Sequence, residues 1–121
     1  MMQEKKLFLI IANGAAYGDE NLFNALRLAI AVKEQAATTQ MKIFLMSDAV
    51  VAGLINQKPV EGYNLKQMLE ILLAQQVEIK LCKTCTDARG ITELPLIKGI
   101  TIGTLIDLAE WTLASNKVLT F

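Results

Sequence analysis

The sequence predicts an α/β fold, a three-layer α/β/α sandwich in which a parallel sheet of about five strands lies between helices. Three observations predict it. Strand-like apolar runs alternate with helical patterns about five times along the chain, the order that builds a parallel sheet covered on both faces. The first run, residues 7–12, is apolar throughout, as a strand buried on both faces must be. Polar or glycine-containing turns follow the first three runs directly, at residues 13–17, 47–48 and 82–87. They therefore belong to one rim at the carboxyl ends of the strands, where such folds collect ligands.

Residues 7–12 form the first strand, and Gly14 and Gly18 permit tight or positive-φ turns in the loop that follows. That loop lacks the Gly-Lys-Ser/Thr ending or Gly-x-Gly-x-x-Gly spacing of a phosphate loop, so it reads as a plain strand-to-helix connection. Asp19 or Asn21 can cap the next helix, whose stripe is Leu22, Ala25, Leu26, Ala29 and Ile30 and whose end is expected near Thr38. Residues 41–46 are the second strand, and Ser47 and Asp48 supply a polar cap for a short apolar turn over 49–55. Residues 56–62, around Pro59, are the one evident loop. Asn64 opens the clearest amphipathic helix, with Leu65, Met68, Leu69, Leu72 and Leu73 on one face.

In the third strand Val77, Ile79 and Leu81 share one face, and Glu78 and Lys80 the other. Thr84 or Thr86 can cap a short helix that Gly90 stops. After an irregular stretch, residues 97–102 read as a short fourth strand. The last helix starts at Gly103–Thr104, runs through Ala114, and is apolar over a wide arc with Trp111 near its outer edge. Residues 117–121 close the chain as a fifth strand.

Composition bounds the function. The 121 residues are read as a single domain, 1–121, long enough to bury roughly two-thirds of the unfolded surface. Twelve basic and twelve acidic residues cancel, and no basic cluster exceeds a pair, so neither nucleic acid nor a membrane surface is expected as a partner. The charged lead, residues 1–6, and the apolar run after it superficially resemble a signal peptide. The run is short and lacks a clear cleavage site, so it is read as a core strand of a cytoplasmic protein whose thiols stay reduced. The chain has no histidine, which excludes a Ser–His–Asp triad, a Cys–His pair and any histidine-ligated metal. Two cysteines alone do not close a zinc site, and neither metal nor cofactor is expected.

The chemistry that remains is concentrated in residues 81–90, Leu-Cys-Lys-Thr-Cys-Thr-Asp-Ala-Arg-Gly, which hold both cysteines of the chain. Cys82 falls on the polar parity of its strand, where a strand gives way to a helix. Its sulfur is expected to meet open backbone N–H groups, and Lys80, Lys83 and Arg89 to favour thiolate over thiol. Cys85 lies a turn later beside Asp87, a carboxylate that disfavours a second thiolate. The two thiols are thus expected to differ, with Cys82 below the ordinary thiol pKa and Cys85 not. Asn13, Gly14, Tyr17, Ser47, Asp48, Lys83, Thr84 and Arg89 are the expected lining of the pocket around the candidate catalytic residues Cys82 and Cys85.

Four blocks, residues 12–18 (Ala-Asn-Gly-Ala-Ala-Tyr-Gly), 44–50 (Phe-Leu-Met-Ser-Asp-Ala-Val), 81–86 (Leu-Cys-Lys-Thr-Cys-Thr) and 117–121 (Lys-Val-Leu-Thr-Phe), resemble the DsrE/DsrF family, and most closely its small bacterial YchN-like branch. The resemblance spans essentially the whole chain. It implies an α/β sandwich with a parallel sheet and assembly into hexamers or related rings. Several members of the family are sulfur carriers whose persulfide sits on a cysteine at the end of the third strand, and Cys82 matches that cysteine. Cys85 is a departure, since sulfur carriage does not require a second cysteine three residues on.

Three functions stay open at this point. The first is a persulfide carrier acting through Cys82 between a donor and an acceptor protein. The second is a dithiol redox protein in which Cys85 resolves Cys82. The third is a small-ligand-binding module whose thiols are incidental. Apolar surface expected on the last helix and around residues 59–63 adds to the resemblance in predicting a homo-oligomer, a hexamer above all.

Overall fold

The computed structural model describes residues 6–121, so Met1 to Lys5, most of the charged lead in the segment weighed against a signal peptide, lie outside the described residues. Five strands, β1 (Leu7–Ala12), β2 (Gln40–Leu45), β3 (Glu78–Cys82), β4 (Thr101–Gly103) and β5 (Lys117–Thr120), form one sheet in the order β4-β3-β2-β1-β5. Every pairing is parallel. Four α-helices connect or flank them: α1 (Asn21–Gln35), α2 (Leu65–Ala74), α3 (Lys83–Ala88) and α4 (Leu105–Ala114), with a 3-10 helix at Ser47–Gly53. Among the described residues no helix is long and apolar enough to cross a membrane.

The register sorts the strands' side chains into two faces, because parallel partners point the same way. Ile10, Ile43, Leu45, Ile79 and Leu81, all fully buried, lie on the face against which the 3-10 helix is pressed, Gly53 meeting Leu81. α1 and α2 pack against each other. Lys42, Phe44 and Lys80 lie on the other face, under α4. This is the three-layer sandwich that the alternation predicts.

Local chemistry explains the element ends, and several differ from the sequence expectation. Asn64 Oδ1 accepts from the Gln67 N–H at 2.9 Å, and Thr104 and Asp107 form a reciprocal capping box at the start of α4, as the sequence patterns require. α1 stops at Gln35 rather than near Thr38: Ala36 leaves the helical region at φ −144° and ψ 74°, and Lys33 Nζ reaches forward to the carbonyls of Ala37 and Thr39 in the turn beyond. The fourth strand is Thr101–Gly103, not 97–102. Gly99 takes a left-handed φ of 102°, which breaks the extended run, although Ile97 and Ile100 remain buried.

Trp111 is not at an outer edge. It is 8% exposed, edge-on to Phe44 at 6.0 Å, with Lys42 and Lys80 over its ring at 4.7 and 5.2 Å. An arc of apolar residues as wide as that of α4 allows several rotations of the helix. The sheet selects the one that buries Leu108 and Trp111, where the indole face meets two ammonium groups. That rotation turns Leu105, Ile106 and Leu113 outward, 69%, 71% and 88% exposed.

Candidate functional site

Asn13, Ser47 and Cys82 all lie at the carboxyl end of a strand, on the rim that the sequence predicts. β3 ends on Cys82, which is also the N-cap of α3. Thr84 and Thr86, the expected caps, are inside α3 instead; the buried Thr86 hydroxyl donates to the Lys83 carbonyl at 3.0 Å. Gly90 ends the segment as expected, at φ 69°. Because the chain turns at Cys82, strand parity no longer describes its surroundings. The thiol is 6% exposed and belongs to the apolar core cluster rather than to the wet face of Glu78 and Lys80.

Both thiols are free, and Cys85 lies in the immediate surroundings of Cys82. The backbone N–H groups of Thr84 and Cys85 reach Cys82 as the sequence predicts, and they lower its pKa, but they do not win. Burial, first, and then the neighbouring Cys85 side chain push the Cys82 thiol up from its ordinary value. The expectation of a depressed Cys82 pKa is therefore corrected. Desolvation of a thiolate outweighs what two backbone donors return.

The cations expected to help are also engaged elsewhere. Lys83 Nζ pairs with Asp87 at 2.7 Å, Lys80 Nζ with Asp107 at 3.5 Å while over Trp111, and Arg89 with Asp48 at 2.7 Å. The Asp87 carboxyl is held below its ordinary range by its bond to Lys83 and then by Thr92. It is ionised there, in an ion pair with Lys83.

Cys85 is partly exposed, and its sulfur accepts from the Ser47 backbone N–H at 3.1 Å. Ser47 sits in the left-handed region at φ 53°, and its Oγ donates to Asn13 Oδ1 at 3.1 Å. Asn13 is itself anchored by its N–H to the Phe121 carbonyl. Arg89 ties the other side, donating to Asp48 and, through Nη1, to the Cys85 carbonyl. Asn13, Ser47, Asp48, Cys85 and Arg89 are thus joined into one site, with Cys82 beside it at the start of α3.

The remaining predicted lining residues do other things. Lys83 and Thr84 are exposed on α3. Gly14 is buried against α1; a Cβ there would meet Asn21 Cβ at 2.8 Å, so its smallness serves packing. Tyr17 belongs to a neighbouring groove of about 380 Å³ lined also by Gln57, Pro59, Val60 and Tyr63. Its hydroxyl accepts from the Leu65 N–H at 2.9 Å, and its ring meets Tyr63 edge-on at 5.0 Å. Sequence reasoning missed Thr86 and Thr92, whose hydroxyls join each other at 2.8 Å and link to Asp87. It also missed that Ser47 acts through its main chain. A backbone donor set by a positive φ leaves no mark in residue type.

A model of the DsrE/DsrF-like family matches residues 5–121. Protein YchN of Escherichia coli is 66% identical over 113 residues, 93% of this chain and 97% of its own length. The protein MK0008 of Methanopyrus kandleri is 35% identical over 112 residues, 93% of this chain and 91% of its own. The crystal structure of the Escherichia coli YchN protein superposes with a TM-score of 0.93 at 64% identity, covering 98% of this chain and 100% of that one. Sequence match and fold agree over nearly the whole length, and the chain belongs to the DsrE/DsrF-like family.

Proposed function

We propose that this protein carries sulfane sulfur as a persulfide on the Cys82–Cys85 segment and passes it from a donor protein to an acceptor protein in the cytoplasm. One observation carries the reading. Two free thiols lie together on the rim where a parallel sheet presents its ligands, Cys85 held by the Ser47 main chain and the site braced by Asn13 and Asp48 from two other rim segments. In loading, a cysteine thiolate attacks the outer sulfur of a donor persulfide, and the donor leaves as its own thiolate. Unloading repeats the exchange with the acceptor as nucleophile, so no net oxidation occurs. Membership in the DsrE/DsrF-like family fits such a relay.

A homo-oligomer, a hexamer or related ring, is the form in which we place the carrier. Leu105, Ile106 and Leu113 on α4 and Val118 and Leu119 on the edge strand β5 leave an apolar surface that a partner copy would cover. The second reading, a dithiol redox protein, is favoured by two free thiols three residues apart at the start of α3.

Single Cys82→Ser and Cys85→Ser proteins, neither able to close an internal disulfide, separate the two. Each is incubated with inorganic polysulfide, alkylated, digested and weighed. The carrier reading expects a gain of about 32 Da on a cysteine peptide of at least one variant, formed faster than on the same chain unfolded in urea. No such gain in either variant overturns carriage. The redox reading then has to appear as a loss of about 2 Da from the unsubstituted chain.

A further inference from the structure

We propose that Cys85 is the sulfur that attacks and bears the incoming group, and that Cys82 is the resolving thiol, the reverse of the order the sequence predicts. This deepens the persulfide reading by assigning roles within its site. The assignment stands on access and on the hydrogen bond that positions the Cys85 sulfur. An attacking sulfur has to meet a substrate along the S–S axis. Cys82, 6% exposed and within the apolar core cluster, offers no such approach, whereas Cys85 is partly exposed. The Ser47 N–H donates to Cys85 Sγ at 3.1 Å and fixes that sulfur at the rim. The Ser47–Asn13 and Arg89–Asp48 hydrogen bonds brace the segments beside Cys85, and Arg89 also donates to its carbonyl.

The chemistry balances with a disulfide or persulfide as the oxidant. The Cys85 thiolate attacks R–S–S–R, forming Cys85–S–S–R and releasing RS⁻. Cys82 then gives up its proton to solvent and attacks Cys85 Sγ, and a second RS⁻ leaves. One external disulfide is reduced to two thiols while Cys82 and Cys85 become an internal disulfide. With a persulfide on Cys85 the second step expels hydrosulfide instead. The pair therefore discharges its sulfur as sulfide whenever no acceptor takes it first.

The test uses 5,5′-dithiobis(2-nitrobenzoate) at neutral pH on the full chain, with no sulfane donor present. The unsubstituted protein is expected to release two thionitrobenzoate ions per chain and retain none. Cys82→Ser is expected to release one and hold the other as a mixed disulfide on Cys85. Cys85→Ser is expected to react at least about tenfold more slowly than Cys82→Ser. Cys82→Ala is run beside Cys82→Ser, since a buried hydroxyl can itself disturb the core, and circular dichroism selects the folded variant. A Cys85→Ser protein that reacts as fast as Cys82→Ser, with the adduct on Cys82, overturns the assignment. So does a stable adduct on Cys85 in the unsubstituted chain, because Cys82 then does not resolve. Carriage can fail in the polysulfide experiment while this order holds, and the order can fail while persulfide still forms on Cys82.

Discussion

Replacing Gly103 with alanine tests the packing that backs the site. Gly103 ends β4 in register with Cys82, and a Cβ there would lie 2.8 Å from Lys80 Cδ, 3.0 Å from Lys80 Cβ and 3.0 Å from Phe44 Cε2. Neither neighbour yields freely. Lys80 is held by Asp107 and by the Trp111 ring, and Phe44 is fully buried and edge-on to the same indole. Forcing a methyl group into a filled space costs roughly 1–3 kcal/mol. Loss of glycine's freedom in the unfolded chain returns about 0.4–1 kcal/mol. The net expectation is a destabilisation of about 1–2 kcal/mol, read as a lower urea midpoint at unchanged slope and fixed protein concentration. Gly90 is the comparison, because its φ is 69° and nothing lies within 4 Å of an added Cβ. Gly90→Ala also costs about 1 kcal/mol, but from the backbone alone. Asparagine should recover part of that loss at Gly90 and deepen it at Gly103. A Gly103→Ala protein as stable as the parent would show that Lys80 and Phe44 move aside without cost, and the steric argument would be wrong.

Two further expectations concern the thiol and the outer helix. The Cys82 pKa is raised in the fold by burial and by Cys85, the titratable group it faces, so the folded chain keeps a proton that the unfolded chain loses. That stability is full below the ordinary thiol value of about 8.5 and is lost as pH rises through the raised folded value. Cys82→Ala should therefore flatten the alkaline fall in the urea midpoint relative to the parent, and curves parallel from about pH 8 to about pH 10 would contradict the shift. The exposed α4 face, Leu105, Ile106 and Leu113, is expected to lie between copies. Ile106→Glu with Leu113→Glu should lower the mass seen by light scattering while circular dichroism stays unchanged. An unaltered mass would place the contact elsewhere, and a parent of monomer mass at micromolar concentration would remove the oligomer altogether.

The sequence by itself determined the layers, the parallel sheet and the rim, because those follow from short-range periodicity. An unbroken apolar run such as Leu7–Ala12 belongs inside an α/β sheet, and Asn64, Thr104 and Gly90 mark helix ends through bonds and dihedrals that reach only three residues. It also located the cysteine segment, since nothing else in the chain offered comparable chemistry. The state of that chemistry was decided by partners far along the chain. Cys85 receives its donor from Ser47, 38 residues away, and Arg89 finds its carboxylate on Asp48, 41 residues away. Trp111 finds its place over Phe44, and Lys80 is drawn to Asp107 and the indole rather than to a thiol. Parity along β3 assigned Cys82 to the wet face. Only the fold, by ending the strand on that residue and turning the chain into α3, decided that its sulfur lies in the core and that Cys85 faces out. Burial and charge pairing are properties of the whole packed chain, and a thiol's reactivity depends on both.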